Sequence, residues 1–422
     1  MPNIATSGLA GKAFGFTAFN FINACIPFLL LPFLTNYLSL ADYALIAMFQ
    51  LMTSLVLPFM GLNTNSSVVR SYYDEGEIVD FRRYTGNVLI ILFATVPILL
   101  LLVVLFGEEI TWLSSVPVEY LWVIILLALF QKMSELVLSI WRAEQKVFKF
   151  GVYKAVSACL DIGASIFIIV VLKHSWEGRI EGQVFASFIA AIGAIFFLIK
   201  ERRISLRINW SYIRHALVFG APLIFHALST IIVVFSDRLF ITHMVGLEQL
   251  GLYSVGFQIG MVIGLLQNSF NQAWTPWLFD KLNSGGIEIK RKIVKITYAY
   301  VGVIICIVGV FHLVTPFIVG TFVHDKFSGA IQFVPWVALG FAANGIYKMF
   351  VGYLFYLKKT GYIAGLTVVT AVVNIVLNYF LIGSLGAIGA AYATCISFSV
   401  QALLAWVISS RLYPMPWLDL NV

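Results

Sequence analysis

Val233–Gly246 reads VVFSDRLFITHMVG, an apolar segment in which Asp237 and Arg238 stand side by side with His243 close behind. Each ionised side chain placed in hydrocarbon costs roughly 2.5–3.5 kcal/mol on insertion scales. What these charges meet depends on the solvent around the segment, and the composition decides that. The chain has 422 residues, 60% of them hydrophobic and 11% charged. A soluble domain is about 25% charged, and no water-soluble fold hides this much apolar surface. The expected solvent is lipid. Cys25, Cys159, Cys306 and Cys395 are scattered through apolar segments with no CxxC, so neither a disulfide framework nor a metal site is implied. The opening MPNIATSGLAGKAFGF lacks a signal-peptide pattern, so the first apolar segment is expected to be retained.

A helix needs about 20 residues to cross hydrocarbon. Twelve segments qualify, roughly 13–36, 43–66, 85–106, 118–141, 151–172, 180–200, 217–244, 250–274, 293–318, 331–355, 361–382 and 386–410. Long unalternating apolar runs exclude a β-barrel. With the N-terminus inside, the outer loops hold only Lys173, Arg179 and Lys326, and the other loop lysines and arginines fall inside. That bias predicts cytoplasmic N- and C-termini. It also explains the formal charge of +7 without a nucleic-acid partner. Lys132, Lys154, Arg238 and Lys348 fall within spans.

A weak internal repeat starts from the opening segment. PFLTNYLSLADYAL (Pro32–Leu45) lies on LFITHMVGLEQLGL (Leu239–Leu252), matching Phe33, Thr35, Leu40 and Leu45 to Phe240, Thr242, Leu247 and Leu252. The same shift brings Gly182 and Ala186 onto Gly389 and Ala393. It pairs span 1 with span 7, so both halves have the same topology. Parallel repeats of this kind are typical of transporters. The expected division is a lobe of spans 1–6 (residues 1–205) and a lobe of spans 7–12 (206–422), with substrate between them.

Helical spacing aligns several buried polar groups. His226, Thr230, Val233 and Asp237 form one stripe, as do Lys154, Ser157 and Asp161. Lys132 and Glu135, three apart, are placed to pair. Thr367, Thr370, Asn374 and Asn378 share a face. The inner half of span 2, GLNTNSSVVR, carries Asn63 and ends at Arg70. Two readings stand: polar faces lining a hydrated cavity, or interhelical hydrogen bonds and ion pairs that hold the bundle. Arg70 and Lys348 also lie where snorkelling to the interface would explain them. Pro27, Pro32, Pro58, Pro97, Pro222, Pro276, Pro316 and Pro335 predict kinks or helix ends. No GxxxxGK[ST], DxD, DDxxD or HExxH occurs, so ATP hydrolysis and familiar metal-assisted chemistry by this chain are not expected, nor is a cofactor.

Four stretches in order carry a family resemblance. LPFLTNYLSLADYALIAMFQ (Leu31–Gln50) resembles the span 1–2 signature of polysaccharide-unit flippases. SDRLFITHMVGLEQLGLYSVGFQIG (Ser236–Gly260) is similar to their span 7–8 signature, a DR pair followed by G-x-E-x-x-G-x-Y. GLNTNSSVVRSYYDEG (Gly61–Gly76) resembles the segment ending span 2, and NIVLNYFLIGSLGAIGAAYATCIS (Asn374–Ser397) the closing N-x-x-L-N and G-x-x-G-A-A-x-A-T pattern. The group is the O-antigen or capsule flippase branch of the multidrug/oligosaccharidyl-lipid/polysaccharide (MOP) exporter superfamily.

The resemblance implies an all-α integral membrane protein of 12 helices in two six-helix lobes, V-shaped around a central cavity. It implies alternating-access flipping of undecaprenyl-pyrophosphate-linked oligosaccharide across the bacterial inner membrane, coupled to an ion or proton gradient. Polysaccharide polymerase and chain-length regulator are then expected partners, beside membrane lipids. A pyrophosphate calls for Arg or Lys in a low-dielectric cavity, and sugars for amide, hydroxyl and aromatic groups. Arg70, Lys132, Lys154, Arg238, Lys348, Asn63 and Asn374 are the expected headgroup residues. Asp161, Glu135, Asp237 and His226 are the expected coupling or gating residues. A multidrug or cation antiporter of the same superfamily is the first alternative, and a membrane enzyme acting on polyprenyl-linked sugars the second.

Overall fold

The computed structural model describes Phe19, Ala24, residues 26–73 and residues 80–417, excluding the side chains of Phe225, His226, Ser229 and Thr230. His226 as a gating residue and much of the first half of span 13–36 therefore lie outside what is described. In chain order the helices are α1 (Ile26–Tyr37), α2 (Leu40–Val56), α3 (Asn65–Tyr73), α4 (Phe81–Ser114), α5 (Val118–Ala143), α6 (Val147–Ile166) and α7 (Trp176–Lys200). They continue with α8 (Trp210–Met244), α9 (Leu247–Gly260), α10 (Val262–Ser284), α11 (Ile287–Phe322), α12 (Val334–Tyr356), α13 (Thr360–Leu385) and α14 (Ile388–Leu412). No strand occurs among the described residues, as a chain that must satisfy its backbone within lipid requires. Among the described residues, nine spans are long and apolar enough to cross a bilayer, ten when the bent pair around α2 and α3 counts as one. The 12-residue α1 and the 35-residue α8 stand at the places of the two remaining expected spans.

Local chemistry sets the boundaries. Ser39 caps α2: its Oγ accepts from the Asp42 amide at 3.1 Å, while its own amide donates to Asp42 Oδ2 at 2.9 Å. Pro58 follows the end of α2, and the path bends by 59° before α3. Gly61 turns that corner at φ +71, its amide held by Thr95 Oγ1 of α4 at 2.9 Å. Asn63 sits in the same corner at φ +55. Pro335 does not kink α12; it stands in its first turn, where a proline is tolerated.

The chain forms two compact units, Met1–Ile231 and Ile232–Val422, and α8 contributes to both. In the first unit, α7 packs on α5 and α6; in the second, α14 packs on α12 and α13. Small residues make these contacts close, as is usual between helices in lipid. A Cβ added to Gly182 would lie 2.6 Å from the Ser165 backbone, and one on Gly389 2.3 Å from the Leu381 carbonyl. Leu101, Leu105, Ile192 and Phe196 are exposed on the first unit, and Val310, Leu313, Val372 and Phe380 on the second, as lipid-facing surface requires.

The segment joining α7 to α8 is strapped onto the start of α4. Arg82 Nε donates to the Ile204 carbonyl at 2.8 Å, and Arg83 Nη2 to the Ile208 carbonyl at 2.8 Å. Asn87 Nδ2 donates to the Arg207 carbonyl at 3.0 Å while its Oδ1 accepts from the Asn209 amide at 2.8 Å. These arginines, counted from sequence only as inside charge, are structural ties. Nearby, Glu144 pairs with Arg203 and with Lys146, and Glu201 pairs with Lys149 at 2.6 Å. Burial alone would raise the Glu201 carboxyl, but Lys149 and Lys146 hold it below its ordinary value. Burial would lower Lys146, but Glu144 and Glu201 hold it above its own.

Candidate functional site

In the second unit the candidate site forms around Asp237, which is completely buried. α13 carries Asn374 and Asn378 four residues apart, hence on one face. α9 contributes Tyr253, α14 contributes Thr394, and α8 itself adds Ser236. Asp237 Oδ2 accepts from Thr394 Oγ1 at 2.6 Å and from Tyr253 Oη at 2.8 Å. Its Oδ1 accepts from Asn378 Nδ2 at 2.8 Å and from Asn374 Nδ2 at 3.2 Å. Ser236 Oγ donates to Asn374 Oδ1 at 2.5 Å. Asn378 Oδ1 is buried with no donor among the described residues. The carboxylate is thus solvated by neutral groups, and no ion pair to it occurs among the described residues.

Arg238, the neighbour in sequence, turns away. Its guanidinium lies 4.8 Å from the centre of the Phe257 ring, and Nη1 donates to the Val234 carbonyl at 3.1 Å. Its Nε has no acceptor among the described residues. Adjacent helical residues point about 100° apart, so the two charges take different surroundings rather than each other.

The first unit holds a polar cavity of about 230 Å³. Lys154, Ser157 and Asp161 face it from one side of α6, Glu135 from α5, and Gln183 and Ser187 from α7. Lys132 Nζ reaches Glu135 Oε2 at 2.7 Å, the pairing their spacing allows. Lys154 also lies 5.2 Å from the centre of the Phe150 ring. Asp161 is gripped at both oxygens, by Arg179 Nη1 at 2.5 Å and Nη2 at 3.1 Å, and Arg179 Nη1 also donates to Ser165 Oγ at 2.7 Å. This corrects the sequence assignment of Arg179 to an outer loop: it lies in the first turn of α7 and is buried. Neutralised by Asp161, it no longer needs water.

The structure therefore brings Lys132, Glu135, Lys154 and Asp161 together in one unit, and Asp237 with Asn374 in the other. Lys348 stands apart, hydrogen-bonded to Asn268 of α10. Arg70 is exposed on α3, and Asn63 lies at the bend before it. Sequence reasoning did not select Tyr253, Thr394, Ser236, Asn378 or Arg179 as site residues. Tyr253 closes the G-x-E-x-x-G-x-Y turn and Thr394 the G-x-x-G-A-A-x-A-T run, so the polar letters of both motifs marked them.

The family model described as polysaccharide biosynthesis protein matches residues 9–281, and the MatE model matches residues 222–380. A membrane protein of Haemophilus influenzae is 25% identical over 362 residues, covering 83% of this chain and 84% of that protein. An inward-facing multidrug-resistance MATE transporter of the MOP superfamily superposes with a TM-score of 0.71 at 14% identity, covering 94% of each chain. The lipid II flippase MurJ, in an inward closed conformation, superposes at 0.70 with 16% identity, over 93% of this chain and 87% of that one. The fold is that of these transporters, and the chain belongs to the polysaccharide biosynthesis protein family, a group of membrane transporters and flippases within the MOP exporter superfamily.

Proposed function

We propose that this protein flips a polyprenyl-pyrophosphate-linked oligosaccharide from the cytoplasmic to the periplasmic leaflet of a bacterial inner membrane. Lobes of residues 1–205 and 206–422 would alternate access to a central cavity, with both termini cytoplasmic. The observation that carries this reading is Lys154 in the first unit's cavity, set among the amides and hydroxyls of Gln131, Gln183, Ser134, Ser157 and Ser187. A cation beside amide and hydroxyl groups fits a phosphate joined to a sugar. A drug-sized ligand fills roughly 300–1,000 Å³. A cavity of about 230 Å³ therefore suits one end of a headgroup, not a whole repeat unit. The rest of the cargo would extend beyond this cavity, with Arg70, Lys132, Arg238 and Lys348 as further contacts and the polyprenyl tail in the bilayer.

Coupling belongs at Asp237. Its carboxylate is met by Thr394 Oγ1, Tyr253 Oη and the Asn374 and Asn378 amide nitrogens, with Ser236 Oγ and the two asparagine carbonyls beside them. One carboxylate with neutral oxygens suits a proton or a monovalent cation, and the undonated Asn378 Oδ1 supplies a further ligand. Glu135 and Asp161 already face Lys132 and Arg179.

Deleting the gene should leave lipid-linked repeat units on the cytoplasmic leaflet, and Lys154→Ala should reproduce much of that defect with protein levels intact. Repeat units reaching the outer face at the normal rate in the deletion strain would end the flippase reading. The MatE match over residues 222–380 favours multidrug or cation antiport as the second reading. Raised drug susceptibility with normal surface polysaccharide in the deletion strain would select it.

A further inference from the structure

The turn between α12 and α13 has a counterpart in the turn between α5 and α6. Both helices end on a non-glycine residue with positive φ, Gln145 at +56 and Lys358 at +56. In each case the next amide reaches back to close the helix, Lys146 to the Trp141 carbonyl at 2.8 Å and Lys359 to the Leu354 carbonyl at 2.9 Å. The charges differ. In the first unit, Lys146 and Lys149 are neutralised by Glu144 and Glu201. In the second, Lys358 and Lys359 are exposed, and neither has a carboxylate within ion-pair distance among the described residues.

These two lysines stand at the head of an apolar groove of about 630 Å³ on the second unit. It runs between α13 and α14, past Gly361, Tyr362, Gly365, Val369, Leu404 and Ile408. Gly361 and Gly365 leave it open, since a Cβ on either would meet nothing within 4 Å. Two unneutralised ammonium groups above an apolar channel match a molecule with an anionic head and an acyl tail. Under the orientation proposed above, the lysines lie at headgroup depth in the cytoplasmic leaflet. The geometry points to a binding site for an anionic phospholipid: its phosphate takes the place that Glu144 and Glu201 fill in the first unit, and an acyl chain lies along α13 and α14.

Binding can be measured on the delipidated full-length protein by titrating phosphatidylglycerol or phosphatidylethanolamine and counting bound lipid by native mass spectrometry. Each lysine near an anionic headgroup contributes about a fivefold gain in affinity. Lys358→Gln with Lys359→Gln should therefore weaken phosphatidylglycerol binding about 25-fold, leave phosphatidylethanolamine nearly unchanged, and be rescued by arginine at both positions. Gly365→Leu, whose Cβ would meet nothing within 4 Å and whose side chain would occupy the groove, should weaken both lipids. Equal affinity for the two lipids in the native protein, or no loss in the double glutamine variant, would overturn the site. So would unchanged binding in Gly365→Leu. Displacement of phosphatidylglycerol from these lysines by a soluble polyprenyl pyrophosphate would assign the groove to cargo and likewise overturn it. Because the readout needs no transport, it stands or falls separately from the flippase reading.

Discussion

Each unit holds an aspartate between helices, half-buried Asp161 in the first and fully buried Asp237 in the second, and the two are treated differently. Asp161 of α6 is held by both Arg179 nitrogens from α7. Asp237 of α8 is surrounded only by neutral donors from α9, α13 and α14. The repeat places Leu30 on Asp237 and Ile46 on Tyr253, and both are buried apolar side chains. On that sequence alignment, the first unit has hydrocarbon where the second keeps a carboxylate. A charge already neutralised by a fixed arginine is a structural tie. A charge met only by dipoles keeps capacity for a proton or cation.

The largest effect should come from breaking the tie. Arg179→Ala leaves Asp161 without its cation and should destabilise the protein by about 3–5 kcal/mol, read as a lower unfolding temperature in detergent. Replacing both partners, Asp161→Leu with Arg179→Met, should recover most of it. If the single and double variants lose the same stability, Asp161 is not held as described. Next come the close contacts of the last helix in each unit. Gly182→Ala and Gly389→Ala both force a Cβ into the neighbouring backbone and should cost about 1–3 kcal/mol each. A loss confined to one of them would show that α7 and α14 do not pack alike.

Asp237→Asn should perturb stability by only about 1 kcal/mol. No ion pair among the described residues is broken, and the Tyr253 and Thr394 hydroxyls can rotate to accept from the new amide. The smallest effect belongs to the ion-pair cluster at the inner turns. Glu201 sits below its ordinary 4.5, so its contribution is complete above that value and lost as pH falls through the lower folded value. Lys146 sits above its ordinary 10.5, so its contribution is complete below that value and lost as pH rises through the higher folded one. Stability should be flat between, with a change under about 1 kcal/mol at either end because these groups meet water. Glu201→Gln should flatten the acid side of that profile.

Much of this was legible in the sequence because lipid leaves few choices. A span must be helical, apolar and about 20 residues long, so the helices fell near their expected places. Pairing within one helix was legible too, as with Lys132 and Glu135, and so was the α13 stripe of Thr370, Asn374 and Asn378. Partners on other helices were not. Nothing local to Arg179 says that Asp161, 18 residues earlier and on another helix, neutralises it. Positive charge near a span end reads as a loop residue, and the same rule hid the part Arg82 and Arg83 play in holding the α7–α8 segment. Asp237 was conspicuous, but its ligands Tyr253 and Thr394 looked like motif letters until the helices brought them together.

The most direct test compares Asp237→Asn and Asp161→Asn in proteoliposomes, with lipid-linked oligosaccharide flipping followed with and without an imposed proton or monovalent-cation gradient. Stimulation by the gradient should vanish in Asp237→Asn, while folded Asp161→Asn protein should retain it. Full gradient-driven flipping by Asp237→Asn, or its loss only in Asp161→Asn, would contradict the assignment of coupling to the cation-free carboxylate.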